Sequence, residues 1–183
     1  QIEAGQRKGI AQKVNASLGL AFLFQRLSND LAAQQARFPS QVMAQVGARV
    51  AGKSDYAFLT LGRCYAAAEN HELAVAEFSK IGEQSPYHLV ALSSAISSLV
   101  TSKQYDQAIA RADIALKANP DAPELHILKG QTLQVKGDNA AAAASFESAI
   151  KLGEQLERPA MLMASYWLAL GGAQEQAGIW PEG

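Results

Sequence analysis

An all-α chain built from helices that recur at a fixed period is what this sequence predicts, and three observations predict it. Pro86 and Pro120 stand 34 residues apart, and Ala74, Ala108 and Ala142 keep the same spacing. Between these marks apolar residues recur at steps of three and four, the period of a helix with one buried face. Turn residues such as Gly137-Asp138-Asn139 separate the stretches, and no run of alternating β-branched residues reads as a strand.

Taken in order, residues 1–54 read as an amino-terminal helical cap or a decayed repeat. Ile10, Val14, Leu18, Ala21, Phe24, Leu27 and Leu31 form one stripe of a long helix. Phe38-Pro39-Ser40 is expected to break it, with Ser40 capping a second helix over Gln41 to Val50. The pair would cover the open face of the next unit; the alternative is an oligomerisation or partner-binding helix. Arg7, Lys8 and Lys13 before the apolar run Val14 to Phe24 give a faint likeness to a signal peptide. The helical spacing continues through Leu27 and Leu31, which argues against a cleavage site, and the run is shorter than the roughly 20 residues that span a bilayer. A chain opening on Gln1 rather than Met is expected to be a piece or a processed product.

Three successive segments carry the period. The first is Phe58-x2-Leu61-Gly62-x2-Tyr65, then Ala74-x3-Phe78, then Pro86. The second has Leu92-x2-Ala95-Ile96-x2-Leu99, Ala108-x3-Ala112 and Pro120, and the third has His126-x2-Lys129-Gly130-x2-Leu133 and Ala142-x3-Phe146 without a closing proline. In physical terms Gly62, Gly130 and the three alanines are the small residues that let two helices of a pair cross closely. Tyr65, Phe78, Leu99, Leu133 and Phe146 fill the space above and below the crossing. This pattern resembles the tetratricopeptide repeat, W-x2-L-G-x2-Y, then A-x3-F, then P. The resemblance implies a right-handed solenoid of antiparallel helix pairs with one concave face, over units 55–88, 89–122, 123–163 and a partial 164–183.

In the partial unit Trp167-x2-Leu170-Gly171 restarts the pattern, and Gly178-Ile179-Trp180-Pro181 resembles the turn into another helix. Gly171 follows Gly130 by 41 residues, so about two helical turns of extra chain lie in Leu152 to Met161, where Pro159 marks a break. An incomplete last unit implies that the natural protein continues, or that its last helix pairs with something else. A homo-oligomer through the amino-terminal helix or this open end is one such arrangement.

Composition narrows the function classes. Of 183 residues 49% are hydrophobic and 18% charged, enough for a packed core. Sixteen basic against seventeen acidic residues leave a net charge of -1, which supplies no attraction to nucleic acid or to an anionic membrane. Neither nucleic-acid binding nor membrane insertion is expected. Cys64 stands alone, so no internal disulfide forms, and cytoplasm and periplasm both remain open.

No catalytic, metal or cofactor motif is found. His71, His88 and His126 fall at different stages of the repeat without a second ligand at i+4. Cys64 reads as a small buried thiol, and Glu69, Glu72, Glu77, Asp106, Asp113 and Glu147 as solvated helix faces. No phosphate loop, dinucleotide fingerprint or G-x-S-x-G occurs. The chain is therefore expected not to be an enzyme and to need no cofactor.

Function is expected on the concave face of the first helices, at Tyr56, Leu59, Arg63, Ser93, Ser97, Thr101, Ile127, Gln131 and Gln134. Only Arg63 matches the basic cluster with which chaperone-binding members of the family grip a terminal carboxylate. Hydroxyls, amides and a few apolar side chains suit an extended peptide or an amphipathic helix instead. The sequence thus predicts a scaffold or adaptor that binds a protein or peptide partner, within a larger, bacterial assembly. The alternative is a regulatory or substrate-docking domain of a larger enzyme, transcription activator or membrane-associated machine.

Overall fold

The computed structural model describes residues 16–179, and every regular element within them is an α-helix. In chain order these are α1 (Ala16–Ala33), α2 (Arg37–Ala51), α3 (Asp55–Ala67), α4 (His71–Phe78), α5 (His88–Thr101), α6 (Tyr105–Ala118), α7 (Pro123–Lys136), α8 (Asn139–Gln155) and α9 (Ala160–Ala177). Each helix packs on the next, and α3 also touches α5, α5 touches α7 and α7 touches α9. The odd-numbered helices therefore form one inner row. The result is a right-handed solenoid of antiparallel pairs with an amino-terminal helical cap, as the sequence predicts.

The crossings explain the small residues. A Cβ built on Gly62 would lie 2.6 Å from Phe78 Cδ1, and one on Gly130 would lie 2.7 Å from Phe146 Cδ1, far inside ordinary contact. Ala74, Ala108 and Ala142 are wholly buried at the facing positions, and Phe146 is 0% exposed. Burying a side chain of that size contributes about 1.5–3 kcal/mol. Local chemistry starts the helices: Ser54 accepts a hydrogen bond from the Ala57 N–H at 3.2 Å, Asp138 accepts one from Ala141 at 3.2 Å, and Pro123 opens α7.

Within each pair the turn repeats at the same period. Gln35, Glu69, Lys103 and Gly137 all have positive φ, at 60°, 61°, 61° and 95°, and each stands 34 residues after the one before. Beside each, an N–H bonds back over five residues: Ala36 to Leu31, Asn70 to Tyr65, Gln104 to Leu99 and Asp138 to Leu133, at 2.8–2.9 Å. This is the Schellman ending, which satisfies carbonyls left over at a helix terminus. After α9 the longer offset of 41 brings Gly178, at φ 69°, with Ile179 bonding back to Gln174.

The α1–α2 pair thus keeps the repeat register, although its side chains differ from the motif. Ser28 and Ser40 stand where Gly62 and Ala74 stand one period later. Both are buried and bonded reciprocally, Ser28 Oγ donating to the Ser40 carbonyl and Ser40 Oγ to the Ser28 carbonyl, each at 2.8 Å. Gly47 supplies a further close approach, since its Cβ would meet Phe24 Cβ at 3.0 Å and the Ala21 carbonyl at 3.2 Å.

Several expectations need correction here. The chain breaks at the Gln35 turn rather than at Phe38-Pro39-Ser40, because α2 begins at Arg37 and takes Pro39 into its first turn, where its missing N–H costs nothing. Ser40 accordingly caps nothing and joins the crossing. Leu27 is 45% exposed rather than part of the buried stripe, since small residues make the α1–α2 contact and turn Leu20, Leu23 and Leu27 outward. Part of the extra length before α9 lies in α8, which runs on to Gln155. Ile10, Val14, the basic residues Arg7, Lys8 and Lys13, and Trp180-Pro181 lie outside the described residues.

Candidate functional site

Two adjoining hollows run along the inner row. One, of about 1210 Å³, lies between α1, the start of α2 and α3, and includes Gln25, Asn29, Gln41, Tyr56, Arg63 and Cys64 in its lining. The other, of about 700 Å³, lies between α3 and α5 and includes Arg63, His71, Ser93, Ser97 and Thr101. Arg63, Ala67 and Glu69 border both, which joins them into one groove with an exposed guanidinium at its middle.

The repeat places these side chains. Asn29, Arg63, Ser97 and Gln131 follow one another at 34 residues, so stacked units set them in a row. Gln25 Nε2 donates to Asn29 Oδ1 at 2.9 Å, which fixes both amides on the α1 wall. On the α5 wall Ser93 Oγ donates to the Val90 carbonyl at 3.1 Å and Thr101 Oγ1 to the Ser97 carbonyl at 2.9 Å. With their protons committed to their own helix, these hydroxyls face the groove as acceptors.

Burial pushes the Tyr56 hydroxyl above its ordinary pKa, with Tyr87, whose ring centroid is 6.3 Å away, adding to the rise and Arg63 opposing it. Burial also raises the Cys64 thiol, partly offset by a hydrogen bond with Ser28. Cys64 is half-buried on the groove wall rather than sealed in a core, and its raised pKa keeps it a neutral thiol near pH 7. No group of three or more His, Cys, Asp or Glu able to hold a metal occurs among the described residues, and no described helix is long and apolar enough to cross a membrane.

Of the residues expected on the concave face, the groove brings together Tyr56, Leu59, Arg63, Ser93, Ser97 and Thr101. Leu59 is only 5% exposed and belongs mainly to the core of the α3–α4 pair. Ile127, Gln131 and Gln134 lie outside both hollows. Ile127 packs against the core around Phe146, Gln131 is exposed, and Gln134 Nε2 donates to Gln176 Oε1 of α9 at 3.1 Å. Gln25, Asn29 and Gln41 were not foreseen; extending the 34-residue register backwards from Arg63 would have found Asn29.

The tetratricopeptide repeat family model matches residues 95–157 and 127–182. Residues 95–182 are thus a run of tetratricopeptide repeats. Its fold is that of a protein-interaction module. Among solved structures, a MamA chain from Desulfovibrio magneticus RS-1, running from residue 41 to its end, is 18% identical over 86% of this chain and 91% of that one, with a TM-score of 0.56. MamA AMB-1 is 20% identical over 74% of this chain and 80% of its own, with a TM-score of 0.57. YrrB, described as a tetratricopeptide protein with an unusual peptide-binding site, is 17% identical over 86% of this chain and 78% of its own, with a TM-score of 0.50. At these identities the likeness is one of fold. No curated protein sequence matches the chain.

Proposed function

We propose that the chain is a non-catalytic adaptor that holds an extended peptide of a partner protein in the groove between α1, α3 and α5. The observation that carries this reading is the continuity of the two hollows through Arg63. An extended backbone presents N–H and C=O groups on both sides. The hydroxyl acceptors on α5 suit its N–H groups, while Arg63 suits its carbonyls or an acidic side chain. The peptide-binding site named for YrrB, on the same fold, supports the assignment. Division of the chain into a cap over 1–54 and an array from Asp55 belongs to the same proposal, with the cap supplying one groove wall.

Peptides selected from a displayed random library against the whole chain, then measured by calorimetry, test the reading. Replacing Arg63, Ser97 and Gln131 with Glu should abolish binding of the selected peptides while leaving helicity and melting intact, with most of the loss coming from Arg63 and Ser97. Charge reversal at Glu77, Arg111 and Glu147 on the second helices should leave binding unchanged. The opposite pattern would move the site to the convex face.

A further inference from the structure

The groove is wider at one end than at the other. Inner helices touch at α3–α5, α5–α7 and α7–α9, whereas α1 and α3 leave between them the larger hollow, about 1210 Å³ against 700 Å³. Two side chains of that hollow have no use within the chain. Phe38, in the first turn of α2, borders it and is 75% exposed. A ring of that size left in water is a surface that a bound apolar group would cover. Thr60, also in the lining, is 6% exposed, and its hydroxyl has no partner among the described residues. By contrast Thr101 and Thr132 each donate to the carbonyl four residues back, at 2.9 Å. A buried hydroxyl without a partner destabilises the free chain and favours a ligand that completes it.

We infer that this hollow is the anchor subsite of the groove and takes a tyrosine side chain of the bound peptide. The inference rests on the peptide-groove reading above and adds the residue that the peptide must carry. Charge selects a neutral side chain. Arg63 and Glu69, both exposed, border the hollow with opposite signs, so a peptide carboxylate would meet Glu69 and an ammonium would meet Arg63.

Packing then selects an aromatic side chain. Phe38, Leu59, Ala67 and Ala68 offer a ring apolar contact, and the planar Arg63 guanidinium stacks on an aromatic face. Thr60 selects the phenol. A tyrosine hydroxyl both donates and accepts, so it satisfies the threonine, whereas an indole N–H only donates and a phenylalanine would seal the threonine unpaired.

Peptides selected from a displayed random library against the whole chain should carry a tyrosine at one fixed position. By calorimetry, changing it to phenylalanine should weaken binding about tenfold, the worth of one hydrogen bond, and changing it to glutamate or lysine should weaken it further. Thr60→Val keeps the shape and removes the hydroxyl. It should bind the tyrosine and phenylalanine peptides equally and melt no lower than the unaltered chain, since no bond is lost. Phe38→Ser should weaken both peptides while circular dichroism shows the helices intact, because the ring is exposed in the free chain. Cys64 borders this hollow and not the smaller one, so its alkylation by iodoacetamide reports occupancy. N-acetyltyrosinamide at millimolar concentration should slow that reaction more than N-acetylphenylalaninamide does. Selected peptides without a common tyrosine, a phenylalanine variant that binds the unaltered chain as tightly, or a Phe38→Ser chain that binds as before would overturn the subsite and leave the groove standing. Failure to select any peptide would overturn both.

Discussion

Placing the same methyl group at two glycines should move stability in opposite directions. An alanine at Gly62 would put its Cβ 2.6 Å from Phe78 Cδ1, where ordinary contact begins at 3.4 Å, and Phe78 is 3% exposed and has nowhere to withdraw. Such overpacking costs about 1–3 kcal/mol. At Gly19, in α1, nothing lies within 4 Å. There the substitution only removes backbone freedom from the unfolded chain and stabilises by about 0.5–1 kcal/mol. Both variants share the helix-propensity gain, so their difference isolates the crossing. At roughly 2–4 °C per kcal/mol for a chain of this size, Gly62→Ala should melt about 2–12 °C below Gly19→Ala, and Gly130→Ala should follow Gly62→Ala. Thermal melts and urea titrations followed by helical ellipticity provide the comparison. Equal midpoints, or a more stable Gly62→Ala, would refute the close-crossing argument and the register built on it.

The left-handed turns give a second test: Glu69→Gly and Lys103→Gly should each stabilise by about 0.5–1 kcal/mol in urea titrations, because a side chain at positive φ costs about 1–2 kcal/mol that glycine does not incur. At the Ser28–Ser40 crossing, either alanine substitution alone removes one hydroxyl bond to a helix carbonyl together with the Oγ–Oγ contact that the two serines share, and should cost about 0.5–1.5 kcal/mol. A double-mutant cycle should then show a total smaller than the sum of the singles, and strict additivity would mean that the two bonds do not act together. Alkylation of Cys64 should rise with pH along a curve displaced above that of a free thiol, since burial raises its pKa and only the thiolate reacts. A curve centred at or below the free-thiol value would contradict the groove-wall environment.

Much of this fold is legible in the residues, and particular substitutions explain where legibility stops. Gly62, Ala74 and Phe78 touch one another at a single crossing, so their identities and spacing encode the packing directly. In the α1–α2 pair the same geometry is met by Ser28, Ser40 and Ala44, with a hydrogen-bonded pair in place of glycine against phenylalanine. The motif fails there while the Gln35 turn persists, because a backbone ending is satisfied by hydrogen bonds that any residue supplies. For that reason the α1 wall of the groove, Gln25 and Asn29, escaped a reading that began its register at Asp55. Gln134 could not be placed from its repeat position alone, since its partner Gln176 lies beyond the enlarged connection that resets the spacing before α9. Leu59 shows the converse limit: a position on an inner helix still faces the core when the next pair leans on it.

The most direct test of the proposed groove is to find where a bound peptide lies. A library-selected peptide carrying a photoreactive benzophenone at its centre should, on irradiation with the whole chain, attach to α1, α3 and α5 around Asn29, Arg63 and Ser97, as read by mass spectrometry of the digested adduct. Attachment confined to α4, α6 or α8, on the opposite face of the solenoid, would contradict the account.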